Sequence, residues 1–343
     1  MPIKPERLAY GDTIGIVAPA SPPPDPRVTD RGLRALESLG FKLKLAPNAR
    51  RRVGFLAGTD RQRAGDLMRM FADKTVKAIL CLRGGYGSAR LLPLLNFGII
   101  RSHPKIFIGY SDITSLHCAL LTQANLVSFH GPTLCSDLFS KSPGGAGTLA
   151  REKMRKKHAG RDAGTPRVLP DAALQSFLRT LMSPSPAGSL CSGFAKNELC
   201  VVRKGTASGP LVGGNLSVLC TTIGTQYRPS FRKAILFLED VGEAPYRIDR
   251  MLTHLLSAGF LQQVAGIAIG VNRDCFDQKA GASKEYRQSL EDVLEDRLRP
   301  LGVPVVTGLP FGHIPQNATL PVGVRATLDG LNGDLVITEG AVK

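Results

Sequence analysis

The chain contains no tryptophan, and aromatic residues make up only 6% of it. No apolar run approaches the ~20 residues that a bilayer-spanning helix needs, which excludes a helical membrane protein. The first residues, Met1-Pro2-Ile3-Lys4-Pro5-Glu6-Arg7, lack the apolar stretch of a cleaved export signal. Seven cysteines are present, an odd number, with no CxxC pair and no histidine-rich partner segment. That pattern argues against a disulfide framework and against a zinc site. Buried thiols in a reducing cytoplasm are the expectation, with no metal and no cofactor.

Acidic residues are also scarce, 28 against 44 Lys and Arg, which leaves a formal charge of +16. Such a balance suits an anionic partner: nucleic acid, a membrane surface or an acidic small molecule. The stretch from Arg151 to Arg167 holds seven Lys/Arg against Glu152 and Asp162, and so supplies +5. It has no aromatic residue on which a base could stack. A solvated basic loop is the expected reading, without nucleic-acid or membrane binding.

What is present is ordinary globular material. Hydrophobic residues are 43% and charged residues 21% of the 343 positions, enough for a core without metal or disulfides. At roughly 100–200 residues per domain, two domains are expected. Apolar strands are predicted at Thr13 to Ala18, Lys42 to Leu45, Ala78 to Leu82 and Lys105 to Ile108. They alternate with helices over Arg31 to Leu39, around Asp60 to Phe71, from Ser88 and from Asp112. Single helices between strands apolar on both faces indicate a parallel α/β sheet over residues 1–140.

From 141 to 170 the composition turns to Gly, Pro, Lys and Arg, a basic connector with a helical portion expected between Leu149 and Lys157. A second, mixed α/β unit is expected over 171–343. Its predicted strands are Ala234 to Leu238, Ile267 to Ile269 and Val303 to Thr307. Its helices are Tyr246 to Ala258 and Lys284 to Leu298, and a closing hairpin turns at Asn332-Gly333.

Three places carry polar residues where a strand stops. In Gly109-Tyr110-Ser111-Asp112-Ile113-Thr114, Ser111 sits on a strand-to-helix turn that would present its hydroxyl outward. The elbow pattern G-x-S-x-G is half matched, because Ile113 replaces the last glycine. Ser111 or Asp112 reads equally as a helix cap. In Leu82-Arg83-Gly84-Gly85-Tyr86-Gly87-Ser88, consecutive glycines would let backbone N–H groups converge on an anion or oxyanion. A plain tight turn fits as well, since the spacing matches neither a Walker loop nor a dinucleotide fingerprint. The third is a pair, Glu239 at a strand end and His313 in Phe311-Gly312-His313. A carboxylate fixing the tautomer of a general base would complete a triad in the order Ser, acid, His. A surface ion pair and an ordinary loop histidine are the plainer readings. His117, His130 and His254 suit packing or surface positions, and Cys81 and Cys118 lie in apolar elements. Asp240 and Glu243 stand near Glu239 with no His or Cys at ligand spacing.

Seven blocks in order along the chain resemble the LD-carboxypeptidase family of serine peptidases. They are Gly11-Asp12-Thr13-Ile14 with Ala18-Pro19-Ala20-Ser21, the Leu82 to Gly87 loop, the Gly109 to Thr114 turn, and His130-Gly131-Pro132. Gly213-Gly214-Asn215-Leu216, Leu238 to Glu243, and Phe311-Gly312-His313 with Leu320-Pro321-Val322-Gly323 complete the set. The resemblance implies a flavodoxin-like N-terminal domain carrying the nucleophile, and a C-terminal domain carrying the acid and base. By that resemblance Ser111, Glu239 and His313 are the triad, and the N–H groups of Gly85 and Asp112 the oxyanion hole. The implied substrate is a cytoplasmic murein tetrapeptide, cut to tripeptide in cell-wall recycling, and relatives suggest a homodimer. Such a muropeptide is small and anionic, so Arg83, Arg247 or Arg250 is a candidate for holding a carboxylate. A branch of the family hydrolyses microcin-type aminoacyl or peptidyl nucleotides, with an aromatic side chain stacked on the base. The absence of tryptophan counts mildly against it. A non-catalytic binder of wall fragments or polyanions is the alternative from another class.

Overall fold

Lys42–Leu45 (β2), Thr13–Val17 (β1), Val76–Cys81 (β3), Ile106–Gly109 (β4) and Ser128–His130 (β5) lie side by side in that order, all parallel. The order 2-1-3-4-5 is that of flavodoxin-like sheets, whose ligand crevice opens where the strand order reverses. Here that point is between β1 and β3, and the loops leaving them carry Ala18 to Ser21 and Arg83 to Ser88. In this computed structural model the described residues are 1–140, 171–195, 198–276 and 288–343. The basic connector 141–170, its helical portion included, lies outside them.

Local chemistry starts and stops the helices. Pro26–Ser38 begins five residues ahead of the predicted Arg31, because Asp25 caps it by accepting from Arg27 N and Pro26 occupies the first turn. Thr59 and Gln62 form a reciprocal capping box at the head of Asp60–Ala72. The helix expected from Ser88 is instead a 3₁₀ segment, Ala89–Leu94, with Pro93 inside it, followed by the short helix Phe97–Ser102. Proline lacks the N–H that a continuing α-helix needs. The helix predicted from Lys284 runs over Leu290–Leu298 behind a Ser289–Asp292 capping box; residues 284–287 lie outside the described set.

Among the described residues the second sheet has eight strands. Thr206–Asn215 (β8), Ile235–Glu239 (β9), Gly266–Val271 (β10) and Val305–Gly312 (β11) are parallel neighbours. Cys200–Arg203 (β7) closes one edge antiparallel to β11. On the other side the hairpin Arg325–Asp329 (β13) and Asp334–Ile337 (β14) pairs antiparallel with β8, and Gly188–Ser189 (β6) forms the outer edge. β11 outruns the predicted Val303 to Thr307 because Val271 of β10 still pairs with Gly312 after two register shifts. That extension carries the strand to the residue before His313.

The two sheets are joined rather than merely adjacent. Leu320–Val322 (β12), from late in the chain, pairs antiparallel with β5 and completes the first sheet. One apolar cluster runs from Ile14 and Phe107 through Phe237 and Phe311. The end of β8 docks on the head of the helix Thr114–Gln123, where Asn215 N donates to Thr114 Oγ1 at 3.0 Å. Among the described residues, no helix is long and apolar enough to cross a membrane.

Candidate active site

Ser111 follows β4 at the turn into the 3₁₀ segment Ser111–Ile113 and the helix Thr114–Gln123. Tyr110 is extended, and Ser111 then takes φ +66°, a left-handed conformation that is costly for a side-chain-bearing residue. Such strain persists only where the surroundings over-determine it. Here they do. A methyl on Gly109 would lie 2.9 Å from Ile113 Cγ2 and 3.1 Å from Cys81 Cβ, so only glycine fits beneath the turn. The Gly109 carbonyl accepts from Gly131 N at 3.1 Å and from the His117 Nε2–H at 2.8 Å.

The glycine loop after β3 is pressed onto this turn. A methyl on Gly84 would come 2.8 Å from Ser111 Cβ and 3.2 Å from its Oγ. Gly85, with φ +108°, packs on Ser21, whose hydroxyl accepts from Tyr86 N at 3.1 Å. Asp112 ties the two segments together. Its carboxylate accepts from Ser88 N at 2.8 Å, and its carbonyl accepts from Ser88 Oγ at 2.6 Å and Ser115 Oγ at 3.2 Å. The first N–H returned into the turn is that of Ile113, to the Tyr110 carbonyl. The Asp112 N–H therefore precedes the hydrogen-bonded series, as the leading amides of a helical segment do.

Glu239 is the last residue of β9 and is fully buried. Its Oε2 accepts from His313 Nδ1 at 2.7 Å, which leaves the Nε2 edge of the imidazole for another partner. Oε1 has no hydrogen-bond partner among the described residues. His313 follows Gly312, whose N–H donates to Asn317 Oδ1 at 3.1 Å and whose absent side chain clears space for Glu239 Oε2. The imidazole ring lies against Tyr110, centroids 4.9 Å apart. The structure thus gathers Ser111, Gly84 and Gly85 at the ends of the first sheet's strands. Glu239 and His313 come from the second sheet, and Tyr110 bridges the two groups.

The remaining candidates are placed as follows. Arg83 is half-buried and donates to the Pro22 carbonyl at 3.0 Å, at the root of the glycine loop. Arg247 bonds Glu243 and the Tyr246 hydroxyl, and Arg250 lies over the Tyr246 ring. Among the described residues, neither of these two hydrogen-bonds Ser111, Glu239 or His313. His117 is fully buried and bonded at both nitrogens, and burial lowers it to about 4. His130 is buried too, and its basicity falls well below the ordinary value for the same reason. His254 is exposed on the helix Pro245–Ser257. Burial pushes the Cys118 thiol up to about 12 and the Cys81 thiol well above its usual value, which makes poor nucleophiles of both. Asp240 spends its carboxylate on Asn215 Nδ2, Ser217 N and Val241 N, which bind β8 to the end of β9.

Several neighbours of the site were not singled out from the sequence. Tyr110 precedes Ser111, Ser88 closes the glycine loop, and Asn317 holds the turn before His313. Arg273, after β10, donates to the His313 carbonyl at 3.5 Å. Adjacency in sequence could have flagged Tyr110 and Ser88, whereas Arg273 reaches the site only through strand pairing. A cavity of about 500 Å³ adjoins the segment after His313, lined in part by Phe194, Val271, Pro310, Ile314 and Gln316.

Comparison with known proteins identifies the family of the chain. A family model described as the LD-carboxypeptidase N-terminal domain matches residues 14–131, and one described as the C-terminal domain matches 208–328. The chain belongs to the LD-carboxypeptidase family. Within that family it is 39% identical, over 99% of its length and 97% of the relative's, to a probable murein peptide carboxypeptidase of Bacillus subtilis. It is 33% identical to a murein tetrapeptide carboxypeptidase of Pseudomonas aeruginosa, covering 92% of this chain and 93% of that one. Among solved structures, the microcin self-immunity protein MccF bound to glutamyl sulfamoyl guanosine matches at TM-score 0.79 and 26% identity, over the whole of both chains. A muramoyltetrapeptide carboxypeptidase from Oxalobacter formigenes matches at TM-score 0.75 and 30% identity, over 96% of this chain and 99% of that one. This LD-carboxypeptidase family member is a peptidase, and its fold is the α/β pair of sheets described above.

Proposed function

We propose that the protein is a serine LD-carboxypeptidase that removes the terminal D-alanine from murein tetrapeptides. Ser111 is its nucleophile, His313 the general base and Glu239 the carboxylate that orients it. The observation that carries this reading is the 2.7 Å bond between buried Glu239 and His313, whose ring abuts the residue preceding a strained Ser111. His313 Nε2 takes the Ser111 Oγ proton as Oγ attacks the carbonyl carbon of the L-centre before D-alanine. The N–H groups of Gly85 and Asp112 receive the oxyanion that forms. The imidazolium, held by Glu239, returns its proton to the departing amine of D-alanine. Water, deprotonated by His313, then releases the tripeptide from the acyl-enzyme.

The charge fits an anionic substrate, and Arg83 at the root of the glycine loop is the arginine best placed to attract a carboxylate. The cavity lined by Ile314, Pro315 and Gln316, in the segment that follows His313, has the size of a small-ligand site. Relatives named for murein peptides reach 39% and 33% identity, above the 28% of the microcin self-immunity protein, and this favours the peptide substrate. Cytoplasmic recycling of wall peptides by a homodimer completes the proposal. The test is D-alanine release from a purified murein tetrapeptide, followed by mass spectrometry beside Ser111→Ala. Release by the wild type alone supports the reading. Equal release by both overturns the Ser111 assignment. Cleavage of aminoacyl nucleotides but of no tetrapeptide would move the protein to the microcin-immunity branch.

A further inference from the structure

The proposed triad leaves one conspicuous neighbour without a role. Tyr110 directly precedes the nucleophile in sequence, and its ring lies against that of the base. Its ring centroid is 4.9 Å from that of His313, with the planes inclined at 54°. A cation within about 6 Å of an aromatic centroid is attracted by the ring's quadrupole. The tyrosine is itself held from two sides. Its hydroxyl bonds Ser136, whose own hydroxyl accepts from Thr133 N at 2.9 Å. Behind it, His130 of β5 packs edge-on at 6.0 Å, backed in turn by His117 at 6.3 Å and Phe237 at 5.3 Å.

His130 has an unusual position for a titratable ring. It is fully buried, and neither ring nitrogen has a hydrogen-bond partner among the described residues. Its burial keeps it uncharged, so the ring behind Tyr110 places no second cation near a protonated His313. The charged and titratable groups facing the His313 imidazole are few. Glu239 comes from β9, Tyr110 from the elbow, His130 from β5 across Tyr110, and Arg273 from beyond β10 against the His313 carbonyl. Of these, Glu239 fixes one edge of the imidazole. Tyr110 is the only aromatic ring among the described residues paired with it.

Building on the proposed triad, we infer that Tyr110 is a positioning residue for proton transfer. Its ring is the wall that keeps His313 aligned between Glu239 and Ser111, and its π face stabilises the imidazolium as it forms. The ring contributes more to the charged transition state than to substrate binding. Its loss should therefore appear in kcat and not in KM. The cation–π range at partly buried sites corresponds to about a 2- to 30-fold change in rate.

The experiment compares kcat and KM for tetrapeptide cleavage by the full chain and by Tyr110→Leu, Tyr110→Met and Tyr110→Phe. Melting temperatures are recorded for each, and phosphonylation of Ser111 by a fluorophosphonate is timed in parallel. Leu and Met fill the volume without a π face, and either serves if the other fails to fold. The expected result is kcat lowered about 2- to 30-fold with KM within about two-fold. Phosphonylation should slow in step, and Tyr110→Phe should recover most of the loss because it keeps the face and gives up only the Ser136 bond. A rise in KM with kcat intact would make Tyr110 a substrate contact and overturn the inference. Phe as impaired as Leu would do the same by assigning the effect to the hydroxyl. Failure of the triad itself would look different, since His313→Ala would then remain active.

Discussion

Replacing Glu239 by glutamine separates two services that a triad carboxylate performs. It holds the proton on Nδ1 of His313, and it stabilises the positive charge that appears when Nε2 takes the serine proton. Glutamine keeps the volume and removes the charge. Because Glu239 Oε1 has no hydrogen-bond partner among the described residues, nothing there dictates which way the new amide turns. It is free to direct its oxygen to the Nδ1–H across the 2.7 Å now spanned by Oε2, and so preserves the tautomer. What is lost is the charged character of one hydrogen bond, about 1–1.5 kcal/mol once the neutral bond that replaces it is subtracted, or roughly a 5- to 13-fold fall in kcat/KM. Glu239→Ala removes orientation as well, and a loss of about 10³–10⁴ is expected. The assay is initial-rate D-alanine release, with substrate saturation curves for wild type, Glu239→Gln and Glu239→Ala. Melting should move little for glutamine, since the lost bond is offset by the relieved cost of burying a carboxylate. Equal losses in the two variants would refute tautomer retention. A glutamine variant within about two-fold of wild type would refute the development of charge against Glu239.

Three further outcomes follow from the same geometry. Gly84→Ala places a methyl 2.8 Å from Ser111 Cβ and 3.1 Å from the Tyr110 carbonyl, so the nucleophile or the loop must shift. About a 10²-fold loss of kcat is expected for a displacement near 1 Å, measured by the same release assay. At Ser111, with φ +66°, Ser111→Gly should abolish hydrolysis yet unfold in urea at about 1 kcal/mol higher stability than Ser111→Ala, since only glycine escapes the left-handed penalty. For pH, His117 binds a proton in the unfolded chain near its usual 6.5 but in the fold only at about 4. The unfolded state therefore holds more protons in that window, and stability is lost as pH falls from about 6.5 towards 4. Between pH 7 and 5 this amounts to about 2 kcal/mol, and the loss should shrink in His117→Gln when both are titrated with urea.

Much of the first sheet was legible because its strands are continuous apolar runs buried on both faces, and such runs mark parallel sheets wherever they occur. Thr13–Val17 and Ile106–Gly109 belong to this class. Errors gathered where a local rule competed with a tertiary one. The first helix starts at Pro26, ahead of the predicted Arg31, although Asp25 and Pro26 together are a helix-start signal. The three-residue strands Ser128–His130 and Leu320–Val322 are too short for any periodicity to declare itself; the first is held between Ile106–Gly109 and Leu320–Val322, and the second by its pairing with the first.

By itself, the sequence determined the alternation of strands and helices. It also supplied the order of the seven family blocks, and the residue types at three strand ends that chemistry could use. These are properties of neighbours along the chain, set by side-chain period, turn chemistry and backbone freedom. Only the tertiary structure decided that Glu239 meets His313 across 74 intervening steps, that Tyr110 lies against that histidine, and that Arg247 and Arg250 are gathered about Tyr246. Those relations rest on strand register and on one strand crossing from the second half of the chain into the first sheet. Register depends on the summed burial of many side chains, and no short stretch of sequence contains that sum.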